Sequence, residues 1–179
     1  MTIQELLLQL NESYRKDILQ TAVHNENECY LSVSSGKIKE ICGFLYESLS
    51  CALISMFATD ERPKTGNYNV YYTFAERETG ILVILIIAVN SSDCSFPSIS
   101  TKIPAAARYE REILDLFGLV PVGHPNPKRL VFHGNWPNHT YPLRKDFPPD
   151  RKPEFAENAN EFQTITGSGV YEIPVGPVH

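Results

Sequence analysis

The sequence lacks the closely spaced cysteines from which metal and iron–sulfur sites are usually built. Its four cysteines stand in separate segments, and no Cys-x-x-Cys pair occurs. Zinc knuckles and iron–sulfur clusters need several thiolates within short stretches, so neither kind of site is indicated. We therefore expect buried free thiols in a reducing compartment. They are Cys29, Cys42, Cys51 and Cys94.

Long apolar runs and concentrated basic charge are also missing. The most apolar run, residues 81–89, is about half of the ~20 residues that a membrane-spanning helix needs. Over the whole sequence, 16 Lys and Arg are outnumbered by 21 Asp and Glu, which gives a net charge of −5. A nucleic-acid surface would need a basic face, which this balance does not favour. We therefore expect any membrane contact to come through a partner.

Catalytic motifs are equally scarce. The segment Gly167-Ser168-Gly169 is a short joint without the lysine of a phosphate-binding loop, and no Gly-x-Ser-x-Gly elbow is present. The sequence supplies no complete active site.

The patterns that are present predict an α+β domain, a mostly antiparallel sheet with helices packed against it. Thr2 and Glu5 match a capping box at the start of a first helix. Ser34 or Ser35 is placed to cap a second helix. The β-branched run 81–89 is typical of a central strand that is covered on both faces. In order we predict a helix, strand 29–33, a helix, strands 49–58, 68–75 and 81–89, and a last helix over 104–117.

A proline-rich arm follows the last helix. Eight of the 13 prolines fall between Pro121 and Pro153, so we expect an extended ribbon. Its many aromatic residues predict that it lies on a surface, because disordered linkers are poor in them. The domain boundaries that we predict are 1–120 for the α+β domain, 121–165 for the arm, and 166–179 for the start of another domain.

The last helix carries two kinds of charge. Arg108, Arg111, Glu112 and Asp115 share one wedge, where Arg108–Glu112 and Arg111–Asp115 have the spacing of solvated i,i+4 pairs. Glu110 falls instead among apolar residues. An unpaired buried carboxylate is costly, so we expect a salt bridge from Glu110 to an arm arginine, Arg129 or Arg144.

Three histidines of the arm offer a rival hypothesis. Imidazole is a common metal ligand, and His124, His133 and His139 lie in one segment. Their spacing matches neither a helical His pair nor a zinc finger, so we favour histidines that form hydrogen bonds in an ordered arm. A free-standing metalloenzyme that uses them stays the alternative of another class.

The helix and the arm together resemble the thirty-kilodalton subunit family of respiratory complex I. The resemblance implies a scaffold domain without a redox cofactor of its own, whose arm wraps an adjacent large subunit. It rests on these motifs: Glu110-Arg111-Glu112, Asp115, Phe117-Gly118, His124-Pro125, Arg129 and Pro142-Leu143-Arg144-Lys145-Asp146-Phe147.

The last residues, 171–179, resemble the start of a hydrogenase-type large subunit. They read Tyr-Glu-Ile-Pro-Val-Gly-Pro-Val-His and contain that family's Gly-Pro-x-His turn. The resemblance implies that a truncated large-subunit domain begins here and that His179 contributes to its cavity.

The resemblance implies a non-catalytic docking domain of a membrane-associated formate hydrogenlyase or hydrogenase-4 complex, inactive when isolated. The alternative within the family is the matching domain of an NADH–quinone oxidoreductase. The expected partners are a large catalytic subunit and iron–sulfur subunits at the cytoplasmic face of the membrane. They would hold the [NiFe] centre, iron–sulfur clusters or quinone. As interface and structural residues we name Glu110, Arg111, Glu112, Asp115, His124, Arg129, Trp136, Arg144, Lys145 and Asp146, with Trp136 and Arg144 as anchors.

Overall fold

The computed structural model of the protein describes residues 1–155, 167–171 and 173. In this range helices pack on one face of a five-stranded sheet, as predicted for an α+β domain. The helices are α1 (Ile3–Tyr14), α2 (Ile38–Glu47), α3 (Arg62–Thr65) and α4 (Ala106–Phe117). The strands are β1 (Ile18–Asn25), β2 (Glu28–Val33), β3 (Cys51–Asp60), β4 (Asn67–Glu76), β5 (Leu82–Asn90), β6 (Ser95–Pro97) and β7 (Val120–Val122).

The sheet has the order β1-β2-β5-β4-β3, and only the β2–β5 pair is parallel. Strand β5 is central, as its apolar run predicted. The prediction that both of its faces are covered is correct only for the first half. Val83, Ile84 and Leu85 are buried, whereas Ala88 and Asn90 near its end are exposed. These two residues point away from the helices, whereas Ile87 and Val89 on the helix side of the same end are buried in the core.

Strand β1 was not predicted, and its addition changes the predicted element order. It forms an edge of the sheet, and nearly all of its side chains are exposed. An edge strand needs no buried face along its length, so its sequence shows little alternation of apolar and polar residues. Backbone pairing with β2 places it in the sheet instead.

The two predicted helix caps have different outcomes. The capping box of α1 is confirmed, because the Glu5 amide donates to the Thr2 hydroxyl and the Thr2 amide to the Glu5 carboxylate. Ser34 precedes a 3-10 helix, Ser35–Lys37, without a side-chain cap, and α2 begins only at Ile38. The polar run before α2 is thus a tighter turn that leads into the helix.

The core lies between the sheet and helices α1, α2 and α4. Tyr68, Val70, Tyr72 and Phe74 of β4 form part of its sheet side and are fully buried. None of the helices within the described ranges has the length and apolar character needed to cross a bilayer.

The region after α4 differs from a plain ribbon. The last helix ends at Phe117, as predicted, and Gly118 caps it in the left-handed conformation with φ 68°. Strand β7 then pairs in parallel with β6, so the predicted boundary at 120/121 cuts through a strand. Residues 123–155 contain no helix or strand and fold as a series of turns. Frequent prolines limit the hydrogen bonds of a β-ladder, and proline is compatible with turns as well as with an extended ribbon.

Candidate functional site

Side chains on one side of α4 hold the first part of the arm by hydrogen bonds to its backbone. The buried Asp115 carboxylate accepts the amides of Leu130, Val131 and Phe132 at 2.9, 2.8 and 3.3 Å. One turn earlier, Arg111 donates to the carbonyls of residues 128 and 129, both at 2.6 Å. A carboxylate that accepts amides and a guanidinium that donates to carbonyls hold a peptide segment in one register.

These contacts correct the expected solvated pairs. Among the described residues, the ion pairs do not include Arg111–Asp115 or Arg108–Glu112. Arg111 and Asp115 bind the arm backbone, whereas Arg108 and Glu112 are exposed. Helical spacing alone could not show that a neighbouring segment competes for the same side chains.

Arg129 organises the loop that follows. Its guanidinium donates to the carbonyls of His133 and Trp136, at 3.3 and 2.7 Å, and to the side-chain oxygen of Asn138 at 2.7 Å. The Trp136 ring nitrogen donates to the carbonyl of Thr140 at 2.9 Å. The Trp136 ring also stacks on Phe132 with centroids 4.0 Å apart. The predicted anchor Trp136 therefore already supports the arm from within.

Glu110 is fully buried, as predicted, but its partners are not arginines. Its carboxylate accepts the Ser98 hydroxyl at 2.5 Å and the Ile99 amide at 2.7 Å. Nε2 of His124 lies 3.9 Å away. The expected salt bridge with Arg129 or Arg144 is therefore wrong. A buried carboxylate can be satisfied by hydroxyl and amide donors as well as by a cation.

His124 joins the same cluster, with its side chain buried against α4. Its Nδ1 accepts the amide of Asn126 at 3.0 Å, so the proton belongs on Nε2, 3.0 Å from the carbonyl oxygen of Ala107. Both ring nitrogens are thus used in hydrogen bonds.

The Glu110 carboxylate affects two neighbours in the core. Burial, and to a smaller extent the Glu110 charge, raises the pKa of the Cys42 thiol well above its ordinary value. Burial first, then Cys42 and Glu110, does the same to the pKa of Tyr72. Both groups are held in their neutral forms, which suits structural roles.

The far end of the arm is held against the end of α4. Nε of Arg144 donates to the carbonyl of Phe117 at 2.6 Å, and its guanidinium lies over the rings of Tyr141 and Tyr68 at 4.3 and 5.4 Å. The Tyr141 ring packs directly on Gly118, where a Cβ atom would overlap it. Arg144, the second predicted anchor, likewise makes internal contacts.

A charged cluster fastens the arm to the sheet edge. The buried Asp60 carboxylate accepts Nε and Nη2 of Arg62, at 2.9 and 2.7 Å, and the Lys145 amide at 2.8 Å. Arg62 also donates to both carboxylate oxygens of Asp146, at 3.1 and 2.8 Å. The hydrogen bond from Arg62 holds the pKa of Asp60 at about 2 and also lowers the pKa of Asp146. The Lys145 side chain itself is exposed.

Sequence reasoning missed Asp60, Arg62 and Ser98. Asp60 ends β3 and Arg62 begins α3, between the predicted strands 49–58 and 68–75. A buried Asp followed by an Arg at the end of a strand is a weak signal of an ion pair. Ser98 has no distinctive pattern around it, and only the fold brings it to Glu110.

The histidine hypothesis gains no support. Within residues 1–155 and the short described stretches beyond, no group of three His, Cys, Asp or Glu is arranged to hold a metal ion. His124 is engaged inside the fold, while His139 lines a cleft. The prediction for His179 lies outside the described residues.

A cleft of about 350 Å³ opens between α4 and the Arg129 loop. Its lining combines aromatic rings, prolines and a few polar groups, and His139 at its side has a positive φ of 55°. The lining residues are Leu114, Asp115, Pro127, Arg129, Phe132, Trp136, Pro137, Asn138, His139, Thr140 and Tyr141.

Fold and site together define a small α+β domain whose charged residues fix a long, turn-rich arm to its surface. The chain belongs to the family of the 30 kDa subunit of respiratory-chain NADH dehydrogenase, whose model matches residues 31–153. The match runs from the middle of β2 through most of the arm and confirms the resemblance seen in the sequence.

Curated relatives of the chain include two hydrogenase proteins. Formate hydrogenlyase subunit 5 of Escherichia coli K12 is 33% identical over 98% of this chain, and hydrogenase-4 component G of the same organism is 31% identical over 98%. The chain spans about a third of each, 32% of their lengths. An NADH-quinone oxidoreductase protein of Pseudomonas fluorescens is 30% identical over 81% of the chain and 26% of its own length.

Two solved structures share the fold. A trypsin-resistant fragment of Nqo5 superposes with a TM-score of 0.58, at 19% identity, over 69% of this chain and 98% of that one. A chain of the membrane-bound sulfane sulfur reductase, an archaeal respiratory membrane complex, gives a TM-score of 0.66 at 23% identity. That match covers 82% of this chain and 85% of the other.

Proposed function

We propose that the chain is a non-catalytic docking domain of a membrane-associated oxidoreductase complex of the formate hydrogenlyase or hydrogenase-4 kind. The alignment of 98% of the chain with formate hydrogenlyase subunit 5 carries this proposal. The partner is the catalytic large subunit of that complex. This chain provides a docking surface, while the partner subunits hold the [NiFe] centre, the iron–sulfur clusters or a quinone.

The internal contacts of the site support docking better than catalysis. Glu110, Asp115 and Asp60 are buried and accept amide, hydroxyl or guanidinium donors, so their charge is used to fix the arm and the loops around it. Rigid presentation of an arm lowers the conformational entropy that is lost on binding.

The arm leaves apolar groups free for a partner. Leu143 is 52% exposed and Val131 is 41% exposed, although both belong to segments whose backbones are anchored on α4. Apolar side chains on a fixed backbone are suited to the centre of an interface. We therefore place the docking surface on the arm around these two residues and on the exposed side of α4.

A capture assay tests this function. The large-subunit domain of the same complex, purified separately, is expected to bind the wild-type chain and to lose most of its affinity for Val131→Asp combined with Leu143→Asp. The matched control is Leu19→Asp with Val23→Asp, which changes two apolar residues that are at least as exposed, on the distant edge strand β1. Equal capture of both folded double variants would contradict docking through the arm.

The same docking surface would also fix the location of the domain. We place it at the cytoplasmic face of the membrane, held there by iron–sulfur and large subunits.

The second candidate function is the matching domain of an NADH–quinone oxidoreductase. It is favoured by the 30% identity to the Pseudomonas fluorescens protein over 81% of the chain. Capture by the large subunit of the hydrogenase, but not by that of the quinone reductase, separates the two.

A metal measurement decides for or against the enzyme alternative. The purified chain is expected to hold no stoichiometric metal, since both nitrogens of His124 are hydrogen-bonded. Elemental analysis that finds one equivalent of zinc, nickel or iron, lost in His124→Ala or His139→Ala, would replace the docking function with a metalloenzyme.

A further inference from the structure

The side of the sheet that faces away from the helices has an apolar centre of its own. Leu82, Ile84 and Ile86 of the central strand point there, since they alternate with Val83 and Leu85 of the main core. Ile84 is only 6% exposed, yet it is not part of the main core cluster. Neighbouring side chains on the sheet therefore bury it, and we call this side the outer sheet face.

The outer sheet face is rich in aromatic residues and poor in charge. Phe57 stacks on Tyr71 with centroids 4.7 Å apart and is still 45% exposed. On strands β2 to β5 of this face the charged residue is Glu28, whose carboxylate accepts the hydroxyl of Tyr30. Aromatic residues with little charge are typical of the buried centres of protein interfaces.

Large and small residues flank the central strand in a complementary way. Ile86 lies between Tyr71 of β4 and Ser32 of β2, and Ile84 lies between Thr73 of β4 and Tyr30 of β2. Each of these isoleucines thus has a tyrosine on one neighbouring strand and a small residue on the other. The tyrosine beside Ile86 is on β4, and the tyrosine beside Ile84 is on β2.

We propose that a second copy of this chain packs on the outer sheet face. A two-fold axis along β5 exchanges β4 and β2 between copies, so Tyr71 of one copy meets Ser32 of the other, and Tyr30 meets Thr73. Leu82, Ile84 and Ile86 of β5 in one copy then pack against the same residues of the other copy. Two sheets packed face to face in this way form a sandwich, and the contact is self-complementary as two-fold symmetry requires.

The size of the face predicts a weak dimer. Strands about 4.8 Å apart with a rise of about 3.3 Å per residue give a five-stranded face of roughly 400–600 Å². Two copies would bury on the order of 1,000 Å², near the lower limit for specific interfaces, so association should depend on concentration.

Sedimentation velocity over a concentration series tests the proposal. The mass is expected to rise from 20.2 kDa toward about 40 kDa for the wild type. Ser32→Tyr sets tyrosine against tyrosine and should return the chain to a monomer. Tyr71→Ser combined with Ser32→Tyr exchanges large for small on both strands and should restore the dimer. Circular dichroism confirms that each variant is folded.

Three results would overturn the proposal. The first is a wild type that stays monomeric throughout the series. The second is a double variant that is as monomeric as Ser32→Tyr. The third is dissociation by Val23→Lys on the exposed strand β1 with no effect from Ser32→Tyr, which would show that the copies join edge to edge.

Discussion

Glu110 and Asp115 lie on one helix, five residues apart, and stabilise different contacts. Glu110 accepts donors from Ser98 and Ile99 within the domain, whereas Asp115 accepts three consecutive amides of the arm. Loss of Glu110 would leave buried donors without an acceptor, and loss of Asp115 would leave three partly buried amides without one, which is more costly than loss of a surface charge.

Replacement of Glu110 tests its buried position. We expect Glu110→Ala to lower the free energy of unfolding by about 3 kcal/mol, because it leaves the Ser98 hydroxyl and the Ile99 amide unsatisfied. Glu112→Ala, on the exposed side of the same helix, should change it by less than about 0.5 kcal/mol. Urea denaturation measures both. Equal small effects would place Glu110 in water.

Asp60 makes stability depend on acid pH. The pKa of Asp60 is about 2 in the folded chain, chiefly because of the Arg62 hydrogen bond, against an ordinary value of 3.8. A lowered folded-state pKa adds stability above about pH 4 that is lost as the pH falls toward 2, at most about 2 kcal/mol. Hydrogen bonds from Thr79 and nearby amides also hold the pKa of Glu76 at about 2, so this group titrates in the same range.

The difference between the wild type and Asp60→Asn isolates the Asp60 contribution. We expect the wild type to be more stable at neutral pH and the advantage to shrink between about pH 4 and 2. Thermal melts at several pH values measure it. A stability difference that does not vary over that range would show that Asp60 is not the titrating group.

Residue-level prediction from the sequence was correct about the burial of Glu110 and wrong about partners. The helical wheel placed Glu110 on the apolar side, since periodicity reports which side of a helix is covered. It could not identify Ser98, which is twelve positions away, or show that the arm backbone takes Arg111 and Asp115. Partners depend on tertiary placement, which local spacing does not encode.

Among the elements, the junction between α4 and the arm depends on one glycine. Gly118 has a left-handed φ of 68°, and the Tyr141 ring occupies the space where its side chain would be. Tyr141 in turn lies under Arg144, which is bonded to the last turn of α4. The end of the helix and the far part of the arm are therefore packed as one unit.

Two glycine variants separate backbone strain from packing. Gly118→Ala should destabilise the chain by about 2–4 kcal/mol, because strain from the positive φ adds to the overlap with Tyr141. Gly66→Ala has a similar φ of 77° but open space around it, so it should cost only about 1 kcal/mol. Chemical denaturation compares them. Equal costs would mean that Tyr141 does not pack on Gly118.

Elements with a buried face were predictable, and the others were not. Helices α1 and α4 and strands β4 and β5 follow from their caps and apolar patterns. Strand β1 shows no such pattern because it is an exposed edge, and the arm was expected to be extended because proline permits both ribbons and turns. Backbone pairing and side-chain hydrogen bonds decided those cases.

For the whole molecule, the described structure presents two surfaces with different properties. Helix α4 and the arm form a surface that is fixed by charged residues and carries exposed apolar groups. The outer sheet face is aromatic and almost uncharged. Because α4 packs on the core side of the sheet, opposite the outer sheet face, the two surfaces are available to separate partners.

Hydrogen exchange of the chain bound to the large-subunit domain tests the docking function most directly. Amides that are covered by a partner exchange more slowly than in the free chain. We predict slower exchange in residues 123–147 and in α4, with β1 unchanged. Slower exchange confined to β1 or to the outer sheet face, with the arm as accessible as in the free chain, would contradict docking through the arm.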